Sequence, residues 1–245
     1  MAELLHGPGV TLGILSLDTR FQRIPGDVGN PESWPFPVLI RRVDHASPDR
    51  VVAGRAAGLV DAFADAAHAL VAEGVDGIVS TCGFLVLHQA EFQRRVRVPV
   101  ATSALMQLPL VARCLPGGRW PGVLTVSAAS LTADHLAAAG ADPLTPVEGL
   151  PPDGEFARVF LGNAETLDEA AAEAEMIAAA RRLVTRHQGV GAIVLECANM
   201  PPYAAAVARA TRLPVYDAIG FGTWFAAGLR PSRHSGARAA RARNP

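Results

Sequence analysis

The sequence predicts an α/β fold built of two similar lobes, each a mostly parallel sheet flanked by helices. Three observations carry this. Short, continuously apolar runs of the kind that form strands buried on both faces alternate with longer, alanine-rich segments of helical spacing. Two stretches of the chain repeat one another at a constant offset. Finally, the chain has 245 residues, of which 50% are hydrophobic and 18% charged, which is enough core-forming material for two packed halves.

Residues 10–17 (VTLGILSL) make the first strand, and similar runs follow at 37–43, 76–81, 98–101, 121–126, 191–196 and 213–216. Helical segments at 50–73, 83–95, 103–115, 129–139, 166–187 and 199–211 fill the intervals. In sheets wound this way ligands bind beyond the carboxyl ends of the strands, where loops lead into helices. Residues 18–37, with four prolines and two glycines, interrupt the alternation directly after the first strand, where a long loop forms a lid or a site wall. From residue 231 onward the chain has four arginines and no acid, a composition expected to be disordered.

Setting EGVDGIVSTC (73–82) over QGVGAIVLEC (188–197) aligns Cys82 with Cys197 at an offset of 115. The same offset places RVPV (97–100) over RLPV (212–215), and a looser echo at offset 109 sets GILSLD (13–18) over GVLTVS (122–127). A duplicated unit follows rather than a solenoid, which would need more and shorter repeats. The boundaries expected are an N-terminal lobe of residues 1–102 joined by about 217–230, and a C-terminal lobe of 103–216.

Charge excludes several function classes. The 22 basic and 23 acidic residues nearly cancel, so neither nucleic acid nor an anionic membrane is an expected partner. All the basic residues are arginine, which removes lysine Schiff-base chemistry, a Walker-type lysine and a lysine base. No apolar run reaches the ~18 residues of a membrane span, and the N-terminus has no recognisable signal sequence, so a cytoplasmic location is expected. The seven histidines lack HxxxH or HxH spacing and the three cysteines lie far apart, so no metal site and no disulfide framework is expected.

Cys82 and Cys197 each end an apolar strand and begin a helix, a setting in which unpaired N–H groups lower a thiol's pKa and bind carboxylates. Across a pseudo-twofold axis the two thiols would face one another over a single cleft. Such a pair suits proton abstraction from one face of a stereogenic carbon and proton return to the other. Cys114 has no repeat partner and is read as structural.

The strand ends SLDTR (16–20), STCGF around Cys82, LECANMPPYA around Cys197 and the two RxPV strands together resemble the aspartate/glutamate racemase superfamily. That resemblance implies two Rossmann-like lobes with the active site in the cleft between them, no cofactor, and Cys82 and Cys197 as the catalytic acid–base pair. The residues after each cysteine differ from those usual in the amino-acid racemases. Substrate-binding candidates are Ser80, Thr81, Gly83, Phe84, Ala198 and Asn199 beside the thiols, Ser16 and Asp18 at the first strand end, and Thr125 at its counterpart. Phe84 suggests an apolar wall, and Arg20 and Arg23 are candidate carboxylate clamps. Glu196 directly precedes Cys197, and strand alternation points its side chain away from the thiol's face. The function expected is a cofactor-independent racemase or epimerase of a small carboxylate substrate, as a homodimer or higher homo-oligomer. The alternatives are a decarboxylase or a maleate-type isomerase on the same scaffold and, in another class, a non-catalytic small-molecule-binding protein.

Overall fold

The computed structural model describes residues 9–231; the expectations for the first eight residues and for the tail beyond residue 231 lie outside the described residues. Strands β1 (Leu12–Ser16), β2 (Val38–Arg42), β3 (Gly77–Ser80) and β4 (Val100–Ala101) form one parallel sheet in the order β2-β1-β3-β4. Strands β5 (Trp120–Thr125), β6 (Val147–Gly149), β7 (Val190–Leu195) and β8 (Val215–Tyr216) form a second in the order β6-β5-β7-β8. The two orders are the same topology written twice, so the sequence repeat is a repeat of strands. β1 and β3 are buried along their whole length and β7 nearly so, which is why they read as unbroken apolar runs.

β6 lies outside the predicted strands. Its three residues are VEG, and Glu148 in the middle is a buried carboxylate held by Arg182 and Arg186. The offset of 109, carried onto Val38 of β2, lands on Val147, so the repeat itself held the signal.

The helices are α1 (Pro48–Val52), α2 (Val60–Ala72), α3 (Gln89–Arg95), α4 (Leu108–Cys114), α5 (Ala133–Ala138), α6 (Glu155–Phe160), α7 (Glu169–Arg186), α8 (Ala204–Thr211) and α9 (Ala218–Leu229). The predicted helix over 50–73 is two helices, because Arg55, Ala56 and Gly58 take positive φ and a right-handed helix cannot continue through them. The segments predicted helical from 83, 103 and 199 each pass through a 3₁₀ turn (Gly83–His88, Ala104–Gln107, Pro201–Tyr203) before α3, α4 and α8. In α7 the buried residues Ala172, Met176, Ala179, Ala180 and Leu183 recur at helical spacing, and the Asp168 side chain accepts from the Ala171 N–H to cap its start. Cys114, expected to be structural, is exposed at the end of α4, whose buried residues are Leu108 and Val111.

A single large apolar core runs through both lobes, including Phe63 of α2, Ile78 of β3, Val123 of β5 and Ile193 of β7. A smaller core covers the other face of the first sheet, where Leu12, Ile14 and Val79 meet Phe221 and Ala226 of α9 and Trp34 of the 18–37 loop. α9 therefore leaves the second sheet and packs against the first. It lies so close that a Cβ on Gly77 of β3 would sit 2.6 Å from Leu229 Cδ1 and 3.0 Å from Phe225 Cε1. Gly77→Val should therefore lift α9 and lower stability by about 1–3 kcal/mol through overpacking, read as a fall in the urea unfolding midpoint.

Candidate active site at the seam of the lobes

The carboxyl ends of β1, β3, β5 and β7 converge on one narrow cleft. Of the predicted site residues, Thr81, Cys82, Gly83, Phe84, Cys197 and Asn199 line it. Ser16, Asp18, Ser80, Thr125 and Ala198 do not. Ser16 Oγ donates to the neighbouring Leu17 carbonyl. Asp18 turns outward to the Arg42 guanidinium and the His45 N–H. Ser80 Oγ donates to the carbonyls of Cys82 and Thr102, and so shapes the backbone that carries the thiol. The Ala198 carbonyl accepts from the Val28 N–H, and Thr125 reaches the cleft only through Glu196.

The 18–37 loop is a wall of the cleft. Thr19, Phe21 and Arg23 line it, whereas Arg20 is exposed with only its N–H used, on Asn163 Oδ1. The Phe21 and Phe160 rings meet edge to face at 4.9 Å, and the Arg23 guanidinium lies 5.0 Å above the Phe21 centroid. Arg23 donates to Asp27 at 2.8 Å and to Thr19 at 3.2 Å, leaving three of the five guanidinium N–H donors for a ligand. On the opposite wall Phe84 packs edge-on against His135 of α5, at 5.2 Å.

Asp27 ties that wall to the second thiol. It is 2% exposed and accepts from Arg23, from the Gly29 N–H and from Asn199 Nδ2. Asn199 in turn accepts a hydrogen bond from Cys197 Sγ at 3.4 Å. A connection of the first lobe thereby fixes the orientation of a thiol in the second.

Glu196 is the cleft-lining carboxylate that the sequence reading turned away from the site. β7 ends at Leu195, so the alternation that would have turned Glu196 away stops one residue too early to govern it. Its side chain enters the cleft instead, 1% exposed, with Oε2 accepting from Thr125 Oγ1 at 2.9 Å and Oε1 without a hydrogen-bond partner. Oε1 presses on Gly83 of the other lobe so closely that a Cβ there would lie 2.3 Å away.

The thiols behave opposite to expectation. Burial pushes Cys82 up to about 12, with the nearby Glu196 carboxylate adding to the push; the N–H groups of Phe84 and Leu85 and the charge of Arg23 pull it back only in part. Cys197 is raised well above its ordinary range by burial first and Glu196 second. The helix N-termini fail to lower them because the chain leaves each cysteine toward a 3₁₀ turn rather than an α-helix, while each thiol is withdrawn from water. Burial also lifts Glu196 to about 8 against the opposing Thr125 hydrogen bond. Among the described residues, no three His, Cys, Asp or Glu side chains converge to hold a metal ion, and no helix is long and apolar enough to cross a membrane.

No protein-family model matches the chain. A dimethylsulfoniopropionate lyase of Durusdinium sp. clade D is 30% identical over 232 residues, covering 89% of this chain and 75% of the relative. The chain belongs to the dimethylsulfoniopropionate lyase family. A further member, dimethylsulfoniopropionate lyase 3 of Emiliania huxleyi, is 31% identical over 232 residues, and the match spans 59% of its length. Solved structures extend the likeness in fold alone. Arylmalonate decarboxylase superposes with a TM-score of 0.61 at 17% identity, covering 89% of this chain and 92% of the other. Allantoin racemase of Pseudomonas fluorescens gives 0.57 at 16%, covering 90% of each chain, and aspartate racemase of Picrophilus torridus 0.53 at 14%, covering 90% and 93%. The chain therefore shares its two-lobed fold with arylmalonate decarboxylase and with the allantoin and aspartate racemases. Its relatives by sequence are named as lyases, whereas the racemases resemble it in fold.

Two outcomes follow from this geometry. Because the folded state binds a proton at Glu196 more tightly than the unfolded chain does, the contribution of that proton is complete below about pH 4.5 and lost as the pH rises toward about 8. Urea unfolding across that interval should show stability falling by up to ~1.4 kcal/mol per pH unit, and Glu196→Gln should abolish that slope. Asp27→Ala strands Arg23 and Asn199, and should cost about 3–5 kcal/mol and open the 18–37 loop to limited proteolysis.

Proposed function

We propose that the protein is a lyase that removes the α-proton of a small carboxylate carrying a sulfonium leaving group on its β-carbon, with dimethylsulfoniopropionate the substrate that its relatives' name supplies. The observation that carries this is the composition of the cleft. It sets two thiols and an arginine with spare donors among three phenyl rings, a set suited to a zwitterion with one anionic and one soft cationic end. Arg23 would hold the carboxylate, and the rings of Phe21, Phe84 and Phe160 would face the sulfonium methyl groups.

Cys82 is the base in this reading. Both thiols feel Glu196 as a negative neighbour, but two backbone N–H groups and Arg23 favour the Cys82 thiolate, whereas Cys197 is aimed as a donor at Asn199 and feels Cys82 and Asp27 as further negative neighbours. The Cys82 thiolate takes the α-proton, the C–H pair becomes the carbon–carbon double bond, and the C–S pair leaves on sulfur. The products are dimethyl sulfide, acrylate and a proton on Cys82. Arg23 stabilises the charge that develops on the carboxylate. No proton returns to carbon, so the two thiols need not be interchangeable, as a racemase acting in both directions requires.

With dimethylsulfoniopropionate, gas chromatography should detect dimethyl sulfide and NMR should detect acrylate. Cys82→Ser should lose about 10³-fold in kcat/KM, whereas Cys197→Ser, which keeps a hydrogen-bond donor for Asn199, should stay within about tenfold of wild type. Silence toward the sulfonium, together with deuterium exchange and inversion at the α-carbon of an amino acid or hydantoin, would replace the lyase with a racemase. Carbon dioxide release from 2-substituted malonates would point to a decarboxylase.

A further inference from the structure

The proposed mechanism leaves a question of protons. A buried Cys82 thiol must lose its own proton before it can accept one from substrate, and a lone pair close to the sulfur offers the shortest route. The acceptor has to be a group that faces the sulfur and carries a free lone pair. The titratable and charged groups around the cleft are Cys82, Cys197 and Glu196, with Arg23 and Asp27 on the loop wall. Arginine has no lone pair to offer, and Asp27 is already bonded to Arg23, Gly29 and Asn199. Glu196 Oε1 is buried, unpartnered, and lies against Gly83, the residue that follows Cys82.

The duplication sharpens the point. At the offset of 115, Glu196 superposes on Thr81, and the backbone agrees: Thr81 N donates to Leu15 O and Glu196 N to Leu124 O, both at 2.9 Å. Thr81 spends its hydroxyl locally, accepting from the Leu17 N–H. At the matching place in the second lobe the longer acid reaches across the seam to Gly83, the neighbour of the first lobe's thiol.

We infer that Glu196 is a positioning residue for the reaction, the proton acceptor through which Cys82 becomes a thiolate. This rests on the assignment of Cys82 as the base. The S–H bond of Cys82 breaks, its proton forms an O–H bond at Glu196 Oε1, and the negative charge moves from carboxylate to sulfur. After elimination Cys82 holds the α-proton and Glu196 the thiol's former one. Release of the Glu196 proton to water as the products leave restores the resting enzyme, and the single proton lost equals the one that the elimination sets free. The form that starts this cycle has lost one proton, so activity should rise with pH in a limb near 8, the range to which burial has moved the carboxyl.

The test reads Cys82 without any substrate, and so stands apart from the fate of the lyase assignment. Wild type and Glu196→Gln are alkylated with iodoacetamide across a pH series, and Cys82 is followed by peptide mass spectrometry with the exposed Cys114 as internal reference. Glutamine keeps the shape and the Thr125 contact but accepts no proton. The wild-type rate should rise with pH and inflect near 8; the Gln variant, whose amide is a weaker donor to the thiolate than the O–H that Glu196 gains on taking the proton, should react about tenfold more slowly at or below that pH, show no inflection there and recover at higher pH. Thr125→Val removes the hydrogen bond that favours the carboxylate and should move the inflection upward without abolishing it. If Glu196 were only a fixed negative neighbour, its removal would ease ionisation of Cys82 and speed alkylation. At or below pH 8 a Gln variant that reacts as fast as wild type, or faster, overturns the inference, and so does an inflection that survives in it. If the alkylation result holds while no sulfonium is turned over, the proton acceptor stands and the substrate assignment alone falls.

Discussion

Withdrawal from water at the seam of the two lobes is the condition on which the chemistry depends. Two thiols and a carboxyl sit where four strand ends converge, each less than a tenth exposed, and burial is the largest influence on all three proton affinities. Hydrogen bonds and nearby charges act as corrections to that influence. They separate the two cysteines, because Arg23 and a pair of N–H groups lean toward Cys82 while Cys197 is held as a donor to Asn199. A dry cleft raises the cost of making a thiolate, and it also makes that thiolate a strong base once formed.

Duplication supplied the frame and substitution within it supplied the chemistry. The two sheets share one topology, and their backbone hydrogen bonds match residue for residue at the ends of β3 and β7. Against that sameness the side chains diverge, with a hydroxyl at Thr81 and a carboxyl at Glu196. The loop between β1 and β2 adds a second asymmetry, since Arg23 lines the cleft and Asp27 holds Asn199 from the first lobe, whereas the connection of equal length between β5 and β6 carries α5 in its place.

Much of the fold was legible because parallel strands buried on both faces advertise themselves as apolar runs, and because the repeat marked both cysteines. β6 escaped because a buried glutamate paired with two arginines of α7 breaks the apolar pattern. α6, only six residues long, and α9, with its interior glycines, lie outside the predicted helices because their burial is decided by distant partners. At the site, Cys82, Cys197, Gly83, Phe84, Thr81 and Asn199 were found by their nearness to the thiols in sequence. Asp18 was misplaced because nothing local reveals that Arg42 and His45 would claim it. Glu196 was misjudged by extending a strand rule beyond the strand, and the thiol ionisation by weighing helix ends without the burial that outweighs them.

The contact of Glu196 with Gly83 binds the histories of the two positions together. A side chain at 83 would occupy the space of a carboxylate oxygen contributed by the other lobe, so any substitution there is tolerated only after residue 196 has become shorter. Conversely, a shorter residue at 196 opens a void beside a glycine that no longer has a steric reason to remain one. Sequence change at the seam is therefore epistatic, and a lineage that altered its chemistry here would have to pass through a particular order of substitutions, with the acid lost before the glycine.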